Sequence, residues 1–192
     1  TYTVSDGNGA TDTATLSLGP VTPVNDAPVS TPIPAVASTD SQTVAFDVAS
    51  SFTDVDTGDT RTYSASGLPP GVTIDPVTGR ISGTLASGAS QSGPYAVTVT
   101  MVDGSGASTS QTFVWSVTNP PPQAANDTAV SPHGDPVTVR VLANDTDPDG
   151  DALVVTAASS AEGAVAINPD GTVTFTPNRG FHGTATVTYT IS

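Results

Sequence analysis

The chain has 192 residues, with seventeen Asp and one Glu against four Arg and no Lys, for a formal net charge of -14. Repulsion of that order argues against nucleic acid or anionic lipid as partners. The absence of Cys excludes a disulfide framework and a thiolate metal site, and no apolar run approaches the length of a membrane-spanning helix.

The residues from Thr1 onward do not form a signal peptide and already alternate as a strand, so the sequence reads as an internal segment of a longer polypeptide. "TYTVS" (1 to 5) and "TATLSL" (13 to 18) predict a hairpin around Asp6. The Pro- and Asn-rich stretch "GPVTPVNDAPV" (19 to 29) interrupts the strands as a semi-extended linker. Period-two patterns then recur in "TVAFDV" (43 to 48), "YAVTVTMV" (95 to 102) and "TFVWSV" (112 to 117), the signature of half-buried strands. "DPVTGR" (75 to 80) and "VDGSGAST" (102 to 109) supply hairpin turns. A second linker, "NPPPQAANDTAV" (119 to 130), ends in the same Asn-Asp pair as the first. Beyond it come "PVTVRVL" (136 to 142), "GTVTFTP" (171 to 177) and "TATVTYTI" (184 to 191), with the turn "NPDGT" (168 to 172). No stretch carries a helical stripe.

An internal repeat organises these elements. "TDVDTGD" (53 to 59) aligns with "TDPDGD" (146 to 151), and "TYTIS" (188 to 192) matches "TYTVS" (1 to 5). The period is about ninety residues, the scale of a modular array. The expected division is the last strands of a partial repeat over 1–24, a complete repeat over 25–118, a linker over 119–126, and a repeat lacking its last strand over 127–192.

"FTDVDTGDTRTYSASGLPPGVTIDPVTGRISGTL" resembles the dystroglycan-type cadherin-like and immunoglobulin-like repeats of bacterial surface proteins. "VLANDTDPDGDALVVTA", "GFHGTATVTYTIS" and "YTVSDGNGATDTATLSLGPVTPVNDAPV" are similar to the tandem-95 cadherin-like repeats of large bacterial adhesins. The resemblance implies an all-β fold of tandem Ig-like or cadherin-like antiparallel Greek-key β-sandwiches. It also implies an extracellular, cell-surface location and calcium bound near the junctions between repeats.

In such a sandwich the amino terminus, the loop between the second and third strands (B–C) and the loop between the last two (F–G) share one end. That topology brings Asn25 and Asp26 of the linker to Asp54, Asp56 and Asp59 of the B–C loop and Asp103 of the F–G loop. Six or more hard oxygens suit Ca²⁺, which takes six to eight in irregular geometry. Crowded carboxylates with no lysine nearby repel one another, and a divalent cation removes the conflict. The last repeat offers Asn126, Asp127, Asn144, Asp145, Asp147, Asp149 and Asp151, without an F–G aspartate; the first offers Asp6 alone. "DTDPDG" opens like an EF-hand loop, but Thr156 stands where a bidentate Glu is needed and the flanks are strands.

The bland alternatives are acidic solvated turns, adequate for Asp12, Asp75 and Asp170, and plain surface charges for Asp40, Asp47 and Asp135. A glycosidase carboxylate pair lacks a row of substrate-stacking aromatics, since Trp115, Phe113, Phe46 and Tyr95 fall at core or near-core strand positions. His133 and His182 stand alone, and no nucleophile triad can be drawn. Both "NDT" sequons, at 126 and 144, lie within the proposed calcium segments. The expectation is a non-enzymatic, calcium-stiffened segment of an adhesin or surface fibre, whose partners are neighbouring repeats and possible ligands are glycans or cell surfaces. The alternatives are a carbohydrate-binding module, or a filament subunit in which "TDTATLSL" completes the last repeat of another copy by strand addition.

Overall fold

A computed structural model describes residues 1–19, 24–56 and 58–192. Residues 20–23 of the first linker reading, Thr57 of the acidic loop and the His133 side chain lie outside the described residues.

The amino-terminal element is an antiparallel hairpin of β1 (Tyr2–Ser5) and β2 (Thr11–Ala14), with Tyr2 opposite Ala14 and Ser5 opposite Thr11. Its strand residues are exposed on both faces.

The middle strands are β3 (Val29–Ser30), β4 (Val36–Thr39), β5 (Thr43–Asp47), β6 (Phe52–Thr53), β7 (Thr62–Ser66), β8 (Val72–Ile74), β9 (Arg80–Thr84), β10 (Tyr95–Val102) and β11 (Ser108–Thr118). One sheet runs β4-β11-β10-β7 and the other β5-β9-β8, with β3 and β6 forming a short separate ladder. Only β4 on β11 is parallel in the first sheet. The period-two pattern explains which faces meet. Val97, Val99 and Met101 of β10 and Phe113, Trp115 and Val117 of β11 point inward. Val44, Val72 and Ile81 come from the facing sheet. Trp115 is fully buried, packs edge-on against Phe46 with centroids 5.3 Å apart, and donates its indole N–H to Ser38 Oγ at 3.1 Å. That bond satisfies the polar end of the largest core side chain.

Where β8 meets β9 the backbones approach so closely that no side chain fits. A Cβ on Gly71 (φ +92) would lie 2.0 Å from the Thr84 carbonyl, and one on Gly83 (φ +144) 2.2 Å from the Gly71 carbonyl. Both glycines are therefore required by space as well as by backbone angle.

The carboxyl-terminal strands are β12 (Val137–Val139), β13 (Val155–Ser159), β14 (Gly163–Ile167), β15 (Val173–Pro177) and β16 (Thr188–Ile191). They form a β12-β15-β14 sheet and a separate β13-β16 pair. The buried apolar residues here are Val141, Val173 and Phe175, a much thinner core than that of the middle sandwich.

The all-β expectation holds, with only single-turn 3-10 segments interrupting the strands among the described residues. No helix among those residues is long and apolar enough to cross a membrane. Three details differ from the sequence reading. The pattern at 13–18 is strand only to Ala14, and that at 184–191 only from Thr188. Asp40 is no surface charge: it is 3% exposed, and its Oδ1 accepts the Ser90 N–H of a 3-10 turn at 2.8 Å.

Candidate functional site

The F–G turn of the middle sandwich is built by Asp103, whose Oδ1 accepts the N–H groups of Ser105 (2.9 Å) and Ala107 (2.8 Å). A short side-chain acceptor at the start of a glycine turn organises the backbone locally. The other carboxylate oxygen is left for a distant partner, and Oδ2 accepts the Asn25 side-chain amide at 3.1 Å. The Asn25 amide, assisted by the turn N–H groups and opposed by burial, holds the Asp103 carboxyl below the usual carboxylate range.

The B–C loop meets the same linker. Asp56 Oδ2 accepts the Asp26 N–H at 2.8 Å, and Asp54 Oδ1 accepts the Asp56 N–H at 3.0 Å. Asp59 stands beside the F–G loop: a Cβ on Gly104 would lie 3.7 Å from its carboxyl carbon. Asn25, Asp26, Asp54, Asp56, Asp59 and Asp103 are thus brought together at one end of the sandwich. Asp54 Oδ2 and Asp59 Oδ2 are closed off from solvent with no hydrogen-bond donor among the described residues. Buried carboxylate oxygens without a partner are costly, and hard anionic oxygens of this kind are what Ca²⁺ ligates.

The carboxyl-terminal repeat places its acidic loop in the same relation to its linker. Gln123 and Thr146 exchange backbone hydrogen bonds of 2.7 and 3.0 Å, Asp145 Oδ1 accepts the Ala125 N–H at 2.7 Å, and Asn144 Nδ2 donates to the Asn126 carbonyl at 3.1 Å. Asp147 Oδ1 accepts the Asp149 and Asp151 N–H groups at 3.0 and 3.3 Å. Both Asp149 oxygens are closed off from solvent and accept from no donor among the described residues. Hydrogen bonding between the two carboxyls holds Asp147 low and pushes Asp149 up to about 6, with burial and the charges of Asp147 and Asp151 adding to the rise.

Tyr189 is the member that the sequence reading missed. Its hydroxyl lies 3.1 Å from Asp127 Oδ2, 3.2 Å from Asp145 Oδ1 and 2.8 Å from the Ala125 carbonyl, tying linker, loop and β16 together. Burial first, then the acceptors and charges of Asp127 and Asp145, raises its pKa far above the ordinary phenol value. The signal was available in the matched "TYTVS" and "TYTIS" ends, which mark Tyr189 as a repeated position.

One expected ligand stands apart. Asp6 accepts the Asn8 and Ala10 N–H groups at 2.8 and 3.1 Å, repeating the Asp103 turn, but it is exposed and receives no long-range partner among the described residues. Asp151 is exposed but stays within the loop, its N–H bonded to Asp147 Oδ1. Among the described residues no group of three or more His, Cys, Asp or Glu side chains is gathered tightly enough to hold a metal ion unaided.

Residues 27–118 match the family model described as "Putative Ig domain", and residues 119–192 match "Bacterial Ig domain". No curated protein sequence matches the chain. Among solved structures, mouse cadherin-23 repeats EC22–24 are 22% identical with a TM-score of 0.45, over 85% of this chain and 58% of that one. The protocadherin GammaB4 extracellular domain is 19% identical with a TM-score of 0.46, over 95% and 36%. An endo-fucoidan hydrolase of glycoside hydrolase family 107 is 16% identical with a TM-score of 0.41, over 93% and 30%. The chain spans less than two thirds of each of these solved chains, and the overlaps are loose, so the assignment rests on the two family matches. Together those matches make the chain, from residue 27 onward, a tandem of Ig-like domains of bacterial type.

Proposed function

We propose that this chain is a calcium-binding structural segment of a bacterial extracellular adhesin or surface fibre, in which Ca²⁺ at the junctions stiffens the array. The repeats divide at 1–24, 25–118, 119–126 and 127–192. Its role is mechanical rather than catalytic, and its immediate partners are the neighbouring repeats of the same polypeptide.

The observation that carries this reading is the pair of solvent-excluded oxygens of Asp54 and Asp59, without a partner among the described residues, beside a linker already tied to Asp56 and Asp103. These residues, with Asn25 and Asp26, would hold the ion at the first junction. Asn126, Asp127, Asn144, Asp145, Asp147, Asp149 and Asp151 would do so at the second, with Asp6 belonging to the junction of the first repeat. A bound cation supplies positive charge that offsets carboxylate repulsion and joins linker to loops. The chain itself supplies the hydrogen bonds that pre-position those loops. With a site affinity of roughly 0.1–1 mM and Ca²⁺ near 10 mM, binding adds about 1.4–2.7 kcal/mol per site.

Equilibrium dialysis with Ca²⁺, counting bound ions, tests the reading. Saturable binding of at least one ion, lost when Asp54 and Asp59 are both replaced by Asn, is the expected result. Binding no stronger than that of an acidic unfolded chain would reject it.

A further inference from the structure

We propose that Tyr189 is a positioning residue of the second junction: its hydroxyl fastens the linker to the acidic loop before any ion arrives, so that Asp127 and Asp145 meet Ca²⁺ already in place. The proposal deepens the calcium reading above and rests on it.

The hydroxyl lies where three acceptors converge, 2.8 Å from the Ala125 carbonyl, 3.1 Å from Asp127 Oδ2 and 3.2 Å from Asp145 Oδ1. Among the described residues it is the side-chain donor that these two carboxylates share. Asp145 is 9% exposed, and a buried carboxylate needs donors. The Ala125 N–H supplies one at 2.7 Å and Tyr189 the other. A phenol has one proton to give. A cation on the carboxylates would leave that proton to the Ala125 carbonyl, so the tie to the linker survives ion binding.

The matched positions of the middle sandwich serve its core instead. Aligning "TDVDTGD" with "TDPDGD" sets Phe52 against Asp145. Aligning the Asp6 and Asp103 turns sets Val99 against Tyr2, and hence against Tyr189 of the matching "TYTIS". Phe52 and Val99 are 1% and 0% exposed and belong to one apolar core. In the last repeat an aspartate and a tyrosine stand at these two positions, bonded to each other and to Ala125. The exchange gives up core packing for a hold on the linker.

The two linkers are accordingly held by different groups. At the first junction the ties from Asn25 Nδ2 and the Asp26 N–H end on the carboxylates of Asp103 and Asp56, oxygens that a cation would claim. At the second, Gln123 and Thr146 exchange backbone bonds, and Asn144 and Tyr189 donate to the Asn126 and Ala125 carbonyls. Bonds to neutral backbone carbonyls form without a metal. Ligands held in place beforehand lower the ordering cost of binding.

Hydrogen exchange of the full chain in excess chelator tests the tie. The Gln123, Ala125 and Thr146 amides are hydrogen-bonded and are expected to be protected. Tyr189→Phe keeps the ring and removes the hydroxyl. It is expected to lower protection at these amides about tenfold, the loss of one hydrogen bond, while the β14–β15 ladder keeps its own. Ca²⁺ titration of chains that also carry Asp54→Asn and Asp59→Asn isolates the second junction, where Tyr189→Phe is expected to weaken binding about tenfold. Protection unchanged in Tyr189→Phe, protection lost equally from β14–β15, or Ca²⁺ affinity unchanged by Tyr189→Phe would overturn the proposal. Absence of Ca²⁺ binding with Tyr189 in place would overturn the calcium reading of this junction and the role toward the ion with it, while the exchange result reads the tie by itself.

Discussion

The Asn25 amide donates to Asp103 Oδ2 at 3.1 Å across 78 positions of sequence. This bond joins the linker before the middle sandwich to the turn between its last two strands. Asp103→Ala removes both the turn acceptor and the linker tie. We expect Ca²⁺ affinity at this junction to fall about tenfold or more, since affinity follows ligand charge count. Calorimetric titration of the variant against the parent chain measures it.

Asp149 separates the cost of the acidic loop from its use. With both oxygens solvent-excluded beside Asp147, Asp149→Asn relieves carboxylate crowding in the metal-free protein and, if the proposed site binds Ca²⁺, removes one of its ligands. The expected outcome is a higher melting temperature in chelator together with a smaller rise on adding Ca²⁺. Differential scanning calorimetry under both conditions reads the two signs.

Trp115 anchors the middle sandwich by contact with Phe46 and Phe113 and by its bond to Ser38. Trp115→Ala leaves a cavity and an unpartnered Ser38 hydroxyl, a loss of about 3–5 kcal/mol. Urea unfolding followed by circular dichroism is expected to show the middle sandwich lost first, with Trp115→Phe falling between the variant and the parent.

Asp75 sets an acid limit that calcium does not control. The Thr78 N–H, then that of Val77, hold its carboxyl below the usual carboxylate range by hydrogen bonds of 2.8 and 2.9 Å. A depressed folded pKa gives stability that is complete above the unfolded pKa and is lost as pH falls through the folded one. The urea midpoint is therefore expected to drop below about pH 4, and to drop less in Asp75→Asn. Equal acid slopes in the two proteins would contradict this role.

The strands were legible because Val and Thr alternate over long runs, and burial along β10 and β11 follows that alternation. The acidic cluster was legible because it is duplicated beside Asn-Asp linkers. Asp40 was not: its burial depends on a 3-10 turn fifty residues away, and nothing local in "ASTDSQ" marks it. Tyr189 was not legible as part of the cluster, because only the folded chain brings its hydroxyl to Asp127 and Asp145. The strand ends at Ala14 and Thr188 depend on pairing, which residue pattern alone does not report.

Calcium bound at the junctions, as proposed above, fixes the angle between repeats. Small-angle scattering of the intact chain in millimolar Ca²⁺ and in excess chelator measures that directly. A maximum dimension that is well defined with Ca²⁺ and a broader, shorter distance distribution in chelator are the expected result. Identical distance distributions in the two buffers, at saturating Ca²⁺, would contradict it.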